Sequence, residues 1–373
     1  MQTTEVPSAQ AAQAHDAALE QLHADMAKGH ALPTWVYVSK FVTREPVAGY
    51  RPYLWKWDLF HGFLMRAGEL VTPERGGERR SMEHLNPDLA SVYSTSHTIG
   101  TAFQLVRPGE VAPAHRHTAA AIRFVVQGGG GEVYTAVQGE KLLMEESDLI
   151  LTPRWTWHDH ANQTGRDIIW LDALDYPLVN LLRTSFFEPY PTERQLLTKP
   201  VHFTAQRVGL ARPAEQYPED VPIVRYAWAD TAPILESLRD SEGSPYDGIL
   251  LDYVNPFTSG PTLPTLGCHI QMLRPGEHTR SHRATTSTVY LVTRGQGYSV
   301  IAGQRFDWAK GDVFVVPPWT WHEHANQAVG DSLLFSVTDR PVLDAFGHYR
   351  EEALTANDGH QEITSVFEPL TRV

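Results

Sequence analysis

Apolar positions do not follow one rhythm along this chain. Over residues 9–28, Ala, Leu and Met recur at helical spacing and Gly29 follows, which predicts a helix with a stop. Residues 31–53 are rich in Trp, Tyr, Val and Pro and read as an arm with short strands, while 54–70 return to a helical pattern. From Ser96 the text changes to short apolar runs broken by Pro, Gly and Asp, about every 8–12 residues, the signature of a β-sandwich or barrel. The Pro-rich stretch 191–264 interrupts that pattern and predicts a linker with some helix over Thr231–Asp240.

The β-rich text is written twice. Gln104-Leu-Val-Arg-Pro-Gly-Glu110 matches Gln271-Met-Leu-Arg-Pro-Gly-Glu277, and Pro153-Arg-Trp-Thr-Trp-His-Asp-His-Ala-Asn-Gln163 matches Pro317-Pro-Trp-Thr-Trp-His-Glu-His-Ala-Asn-Gln327. The offset is 167 residues at the first block and 164 at the second, so the first copy carries three extra residues between them. The Gly128–Gly131 stretch, a hairpin tip by composition, is where they are expected. The chain therefore divides into an N-terminal arm with helices (1–95), a first β-domain (96–190), a linker segment (191–262), a second β-domain (263–350) and a C-terminal tail (351–373).

Composition narrows the chemistry. Asp and Glu total 44 against 31 Lys and Arg, a net charge of -13, which speaks against nucleic acid as a partner. Cys268 is the one cysteine, excluding a disulfide framework, a Cys-rich zinc site and an iron–sulfur cluster. The first 30 residues lack the apolar core of a secretory signal, and no long apolar run suits a membrane span, so a cytoplasmic location is expected. What remains is histidine, carboxylate and arginine chemistry. His115 and His117 stand at i and i+2 on a strand and share a face, and His158 follows a second strand and Pro153. Three neutral imidazoles of this kind suit Fe, Zn, Cu or Ni and leave coordination positions open.

Gly109-x5-His115-x-His117 resembles the first cupin motif, and Asp148-x4-Pro153-x4-His158-x3-Asn162 resembles the second. The chain thus resembles a bicupin, and the implied fold is all-β: two double-stranded β-helix (jelly-roll) barrels with a helical N-terminal arm and a linker. The run Trp155-Thr-Trp-His-Asp-His-Ala-Asn162, followed by Trp170-Leu-Asp172, is similar to the gentisate 1,2-dioxygenase family, which includes salicylate and 1-hydroxy-2-naphthoate ring-cleaving members. Ala67-Gly-Glu-Leu-Val71 and Glu78-Arg-Arg-Ser-Met-Glu-His-Leu-Asn-Pro87 extend the likeness upstream. The glutamate ligand of many cupins is missing after His117, as in that family, whose metal is Fe(II).

The resemblance implies an Fe(II)-dependent enzyme that opens the ring of a 2-hydroxybenzoate between its carboxyl- and hydroxyl-bearing carbons, inserting both atoms of O2. Gentisate, salicylate, a 5-substituted salicylate and 1-hydroxy-2-naphthoate are the candidate substrates, and a homo-oligomer, commonly a tetramer, is the expected assembly. His115, His117 and His158 are the expected metal ligands. Arg123 and Arg79 are expected to bind the substrate carboxylate, His160 to serve its hydroxyl, and Gln104 and Asp172 to face the substrate or its arginine. Arg80 beside Arg79 reads as solvated charge, and Trp155 and Trp157, repeated at Trp319 and Trp321, as core. Gly100 and Ala102 would shape the pocket, Gly100 by enlarging it. In the second copy Ala284 stands where His117 stands, so His282 and His322 make a metal-poor site. The alternatives are a metal-dependent bicupin isomerase or decarboxylase, and a non-catalytic ligand-binding bicupin.

Overall fold

A computed structural model describes residues 9–72, 75–77, 80–205 and 225–372. The chain falls into a short unit ending at Val47 and a large one beginning at Ala48. In the short unit, helix α1 (Ala9–Lys28) ends as expected, with the Gly29 N–H closing on the Asp25 carbonyl at 3.0 Å. Its second element differs from the expected strands: Thr34–Phe41 is a helix, α2. Val, Tyr and Trp favour strands only where a neighbouring strand takes their backbone groups. The described part of this unit holds no strand, and a helix satisfies its backbone internally.

The strands of the first half of the large unit are β1 (Tyr53–Trp55), β2 (Ser81–Glu83), β3 (Gly100–Val106), β4 (Val111–His117), β5 (Ala121–Gln127), β6 (Val133–Val137), β7 (Glu140–Leu143), β8 (Leu149–Thr152), β9 (His158–Asn162), β10 (Ile168–Leu174), β11 (Phe187–Pro189) and β12 (Arg225–Tyr226). The second half has β13 (Ile249–Asp252), β14 (Gly267–Leu273), β15 (His282–Ala284), β16 (Thr288–Arg294), β17 (Gln296–Ile301), β18 (Gln304–Ala309), β19 (Val313–Val316), β20 (His322–Asn326), β21 (Ser332–Thr338), β22 (Glu351–Ala353) and β23 (Ser365–Val366). Helix α3 (Trp57–Leu70) lies on β3, α4 (Tyr176–Leu181) follows β10, α5 (Trp228–Ser237) sits within the expected linker and α6 (Arg340–Ala345) follows β21.

These strands build two jelly-roll barrels of two sheets each. The first pairs the order β12-β8-β5-β10-β3-β2 with β11-β4-β9-β6-β7; the second pairs β1-β19-β16-β21-β14-β13 with β22-β15-β20-β17-β18-β23. Segments outside the two repeats supply edge strands to both: β1 to the second barrel, β12 to the first and β13 to the second. The three extra residues of the first copy fall at the glycine-rich tip. Val133 pairs with Asn162 and Gly297 with Asn326, while Gln127 pairs with Ile169 and Arg294 with Leu333. The turn between β5 and β6 thus absorbs the difference, and Gly128 to Gly131 all adopt positive φ.

Alternation explains why β3, β5 and β10 read as nearly unbroken apolar text. One face of each strand lines its own barrel, where Val106, Val125, Ile168 and Trp170 meet Val133, Leu142 and Met144. The other face packs on the second barrel: Phe103, Ile122, Phe124 and Leu171 share one core with Ile270, Val289, Leu291 and Phe335. The Phe124 and Phe335 rings stack at 4.2 Å. Sheets buried on both sides lose the polar alternation of a half-exposed sheet.

Candidate metal centre and active site

Strands β4 and β9 pair with a bulge that sets Ala112 opposite His160 and His115 opposite His158. The result gathers three imidazoles: ring centroids are 5.5 Å apart for His115–His117, 4.3 Å for His115–His158 and 4.8 Å for His117–His158. One ligand nitrogen from each lies within 4.8 Å of the others, so this group can hold a metal ion. Each ring is locked by a backbone carbonyl on its Nδ1: Pro113 at 2.7 Å for His115, Ala119 at 2.8 Å for His117 and Thr156 at 2.9 Å for His158. A carbonyl can only accept, so Nδ1 carries the proton and Nε2 keeps its lone pair. The Nε2 of His158 is buried without a hydrogen-bond partner, as a ligand atom awaiting a cation would be. Burial, reinforced by the other imidazoles and Arg123, holds His158 well below the ordinary histidine range, in the neutral form a metal requires.

The opposite sheet faces this triad with a row of polar residues. Register places Ala102, Asp172 and Arg123 side by side across β3, β10 and β5, with Glu83 at the edge on β2. Gly100 and Gln104 flank Ala102 on the same face of β3. Arg123 is 4% exposed and Asp172 5% exposed, and their Nε and Oδ1 lie 3.2 Å apart. Burial raises the Asp172 carboxyl, the Arg123 charge pulling it back; burial likewise lowers the Arg123 guanidinium. Arg123 also donates from Nη1 to the Thr152 hydroxyl. His160 lies 2% exposed, its Nδ1 bonded to the Thr135 hydroxyl at 2.8 Å and its ring 5.9 Å from that of His158. The same bond recurs in the second barrel between His324 and Ser299 at 2.7 Å, so both barrels of this chain carry the contact.

Three sequence expectations change, and a fourth, on Arg79, is not reached. Arg79 lies outside the described residues. Arg80 is not solvated: it is 5% exposed, and both terminal nitrogens reach the Glu110 carboxylate at 2.8 Å. A guanidinium can be buried when a carboxylate takes its fork, which spacing alone does not reveal. Trp155 and Trp157 are not core. Trp155 is 39% exposed, and the pair sandwiches the Arg116 guanidinium at 4.4 and 4.3 Å, a clamp repeated by Trp319 and Trp321 around Arg283. Gly100 does not open the pocket: a Cβ there would overlap the Tyr176 ring, which fills the space. The second copy has glycine at the same place, Gly267, in line with a packing role.

Sequence reasoning missed Thr152 and Tyr176. A signal for both was present in the repeat: Thr152 matches Val316 and Tyr176 matches Arg340. The second barrel does not carry the triad. Ala284 supplies no ligand, His282 bonds Glu351 at 3.0 Å through Nδ1, and the cavity beside them, about 170 Å³, is lined by Tyr290, Ser336 and Thr338 where the first barrel has Arg123, Asp172 and Leu174.

Residues 102–174 and 269–338 each match the cupin domain family. Over 354 residues, 94% of each chain, the sequence is 57% identical to a 5-aminosalicylate 1,2-dioxygenase of Comamonas sp. The chain belongs to the gentisate 1,2-dioxygenase family of bicupin ring-cleaving enzymes. A gentisate 1,2-dioxygenase of Aquipseudomonas alcaligenes is 37% identical over 327 residues, covering 86% of this chain and 92% of that one. Among solved structures, the salicylate 1,2-dioxygenase of Pseudaminobacter salicylatoxidans superposes with a TM-score of 0.82 at 32% identity, covering 94% of this chain and 99% of its own. Among the described residues no helix is long and apolar enough to cross a membrane.

Proposed function

We propose that the enzyme is an Fe(II)-dependent 1,2-dioxygenase for 5-substituted salicylates, with 5-aminosalicylate and gentisate as the leading substrates. The observation that carries this reading is the facing of two groups inside one barrel: three tautomer-locked imidazoles on one sheet and the buried Arg123–Asp172 pair on the other. The identity to a 5-aminosalicylate dioxygenase supports the choice of ring substituent. His115, His117 and His158 would hold iron, and three neutral ligands leave the dication its full charge for an anionic substrate. Iron bound there supplies the redox chemistry that O2 needs.

The protein's own residues do the positioning. Arg123 pairs with the substrate carboxylate and, held by Asp172 and Thr152, keeps one orientation. His160, fixed through Nδ1 by Thr135, presents Nε2 to the phenolic hydroxyl and accepts its proton. Gln104 and Ala102 line the same face, and Tyr176 closes the wall over Gly100. Both oxygen atoms of O2 enter the product, the bond between carboxyl- and hydroxyl-bearing carbons breaks, and a ring-opened 2-oxo dicarboxylic acid results. Oxygen uptake by the ferrous-reconstituted enzyme, read with 5-aminosalicylate, gentisate, salicylate and 1-hydroxy-2-naphthoate, tests the assignment. Failure to consume O2 with any of them would sink it. We further infer a homotetramer in the cytoplasm, with the N-terminal helices contributing to assembly.

A further inference from the structure

A second cluster of metal-ligating side chains lies away from the triad, on the other face of a sheet in the second barrel. His322 and His324 point from β20 toward the barrel cavity, so Glu323 between them points outward. Glu323 is nevertheless 1% exposed. Its Oε1 lies 3.1 Å from His278 Nε2 and 3.5 Å from His360 Nδ1, and the two imidazole rings stand 4.4 Å apart. One ligand atom from each of the three lies within 4.8 Å of the other two. His360 Nδ1 is buried and has no hydrogen-bond partner.

The internal repeat shows what the fold itself requires here. Glu323 matches Asp159 of the first barrel. Gln195 bonds Asp159 at 2.9 Å and takes the Gly139 N–H; Gln361 takes the matching Gly303 N–H and offers its backbone N–H to Glu323 at 3.0 Å. The residue before that glutamine is Arg194 in the first barrel and His360 in the second, and the residue matching His278 is Val111. In the first barrel the charge of Arg194 acts on the buried carboxylate. In the second, the permanent cation is gone and two imidazoles have arrived, one in place of an aliphatic side chain. A buried carboxylate needs a counter-charge, and imidazoles supply none unless they bind a proton or a cation.

We propose that His278, Glu323 and His360 form a divalent transition-metal site, distinct from the triad, that fastens the C-terminal tail to the second barrel. Two nitrogens and one carboxylate oxygen suit Zn²⁺ or Co²⁺, and the exposed side of His278 leaves room for water to complete the shell. The three ligands come from the turn before β15, from β20 and from the tail ahead of β23, so a bound ion ties together segments far apart in the chain.

The test uses iron-loaded full-length enzyme under anaerobic conditions, titrated with Co²⁺ and followed by absorption spectroscopy, with iron and cobalt counted by elemental analysis. About one equivalent of cobalt beyond the iron is expected, with ligand-field bands of a four- or five-coordinate ion, and Zn²⁺ should displace it. His278→Val and His360→Arg install the first barrel's residues, and each should weaken cobalt binding at least tenfold while leaving iron content and turnover unchanged. Both replacements suit a folded barrel because the first copy already carries them. Absence of a further equivalent in the wild type would overturn the proposal. So would an equivalent that survives both variants, and loss of that equivalent in His282→Ala instead would place it in the second barrel's cavity.

Discussion

Arg123 Nε lies 3.2 Å from Asp172 Oδ1 across adjacent registered strands, yet the two atoms do not align as a hydrogen bond. The pair is therefore buried without being saturated, and it retains capacity for an incoming carboxylate. Arg123→Ala leaves both anions without their cation, a cost of about 3–5 kcal/mol. At least a roughly 100-fold fall in kcat/KM is expected, with iron content unchanged. Arg123→Lys should recover little, since an ammonium lacks the planar fork. Steady-state kinetics beside iron analysis decide the matter, and iron loss in step with activity would assign Arg123 to the fold.

The triad makes a sharper claim. His115→Ala, His117→Ala and His158→Ala should each strip iron and abolish turnover, whereas His282→Ala should keep both. Iron analysis after gel filtration reads this directly. A His158→Ala enzyme that retained iron would shift the third ligand to His160.

Gly100 tests packing against pocket size. Adding a methyl group forces the Tyr176 ring aside, and overpacking of this kind costs about 1–3 kcal/mol. Gly100→Ala should lower the melting temperature, and the double variant with Tyr176→Ala should lose less than the two single losses combined. Strict additivity would show that the glycine and the tyrosine do not share that space.

One buried histidine away from the triad ties stability to pH. His84 is fully buried, its ring stacked on Phe60 at 4.7 Å, and burial holds it down to about 3. An unfolded histidine titrates near 6.5, so between those values the unfolded chain binds the extra proton and stability falls as pH drops. At pH 5 this group alone removes about 2 kcal/mol relative to pH 7. His84→Phe keeps an aromatic ring in the stack and should shrink the drop in melting temperature between pH 7 and pH 5. An unchanged drop would clear His84 of the role.

The proposed assembly through the short N-terminal unit is open to test. Helix α2 buries no residue within its own unit and exposes Trp35 at 59% and Phe41 at 63%. Removing residues 1–47 should reduce the oligomer in sedimentation. A full-length species near 41.8 kDa at micromolar concentration would count against the tetramer.

The repeated motifs made the two barrels and the three-histidine face legible in the sequence, because metal ligation demands fixed residue types at fixed strand spacing. Even the glycine-rich tip could be placed, from a three-residue change of offset. What escaped was set by tertiary partners. Arg80 is written like surface charge until Glu110 closes on it, and Trp155 is written like core until Arg116 slides between it and Trp157. The helix at Thr34–Phe41 escaped because its residues favour a strand that has no neighbour to join.

The core shared through Phe124 and Phe335 also bears on why a barrel without the triad persists. The sheet that carries Arg123 has its back to the second barrel, so the copy without the triad serves the other as a retaining wall. Gene shortening that discarded it would leave Phe103, Ile122, Phe124 and Leu171 facing water, a greasy plane on which half-molecules would stick to one another. The inward-facing residues of the second half are free of that contact, whereas its outer apolar face has to match the first half.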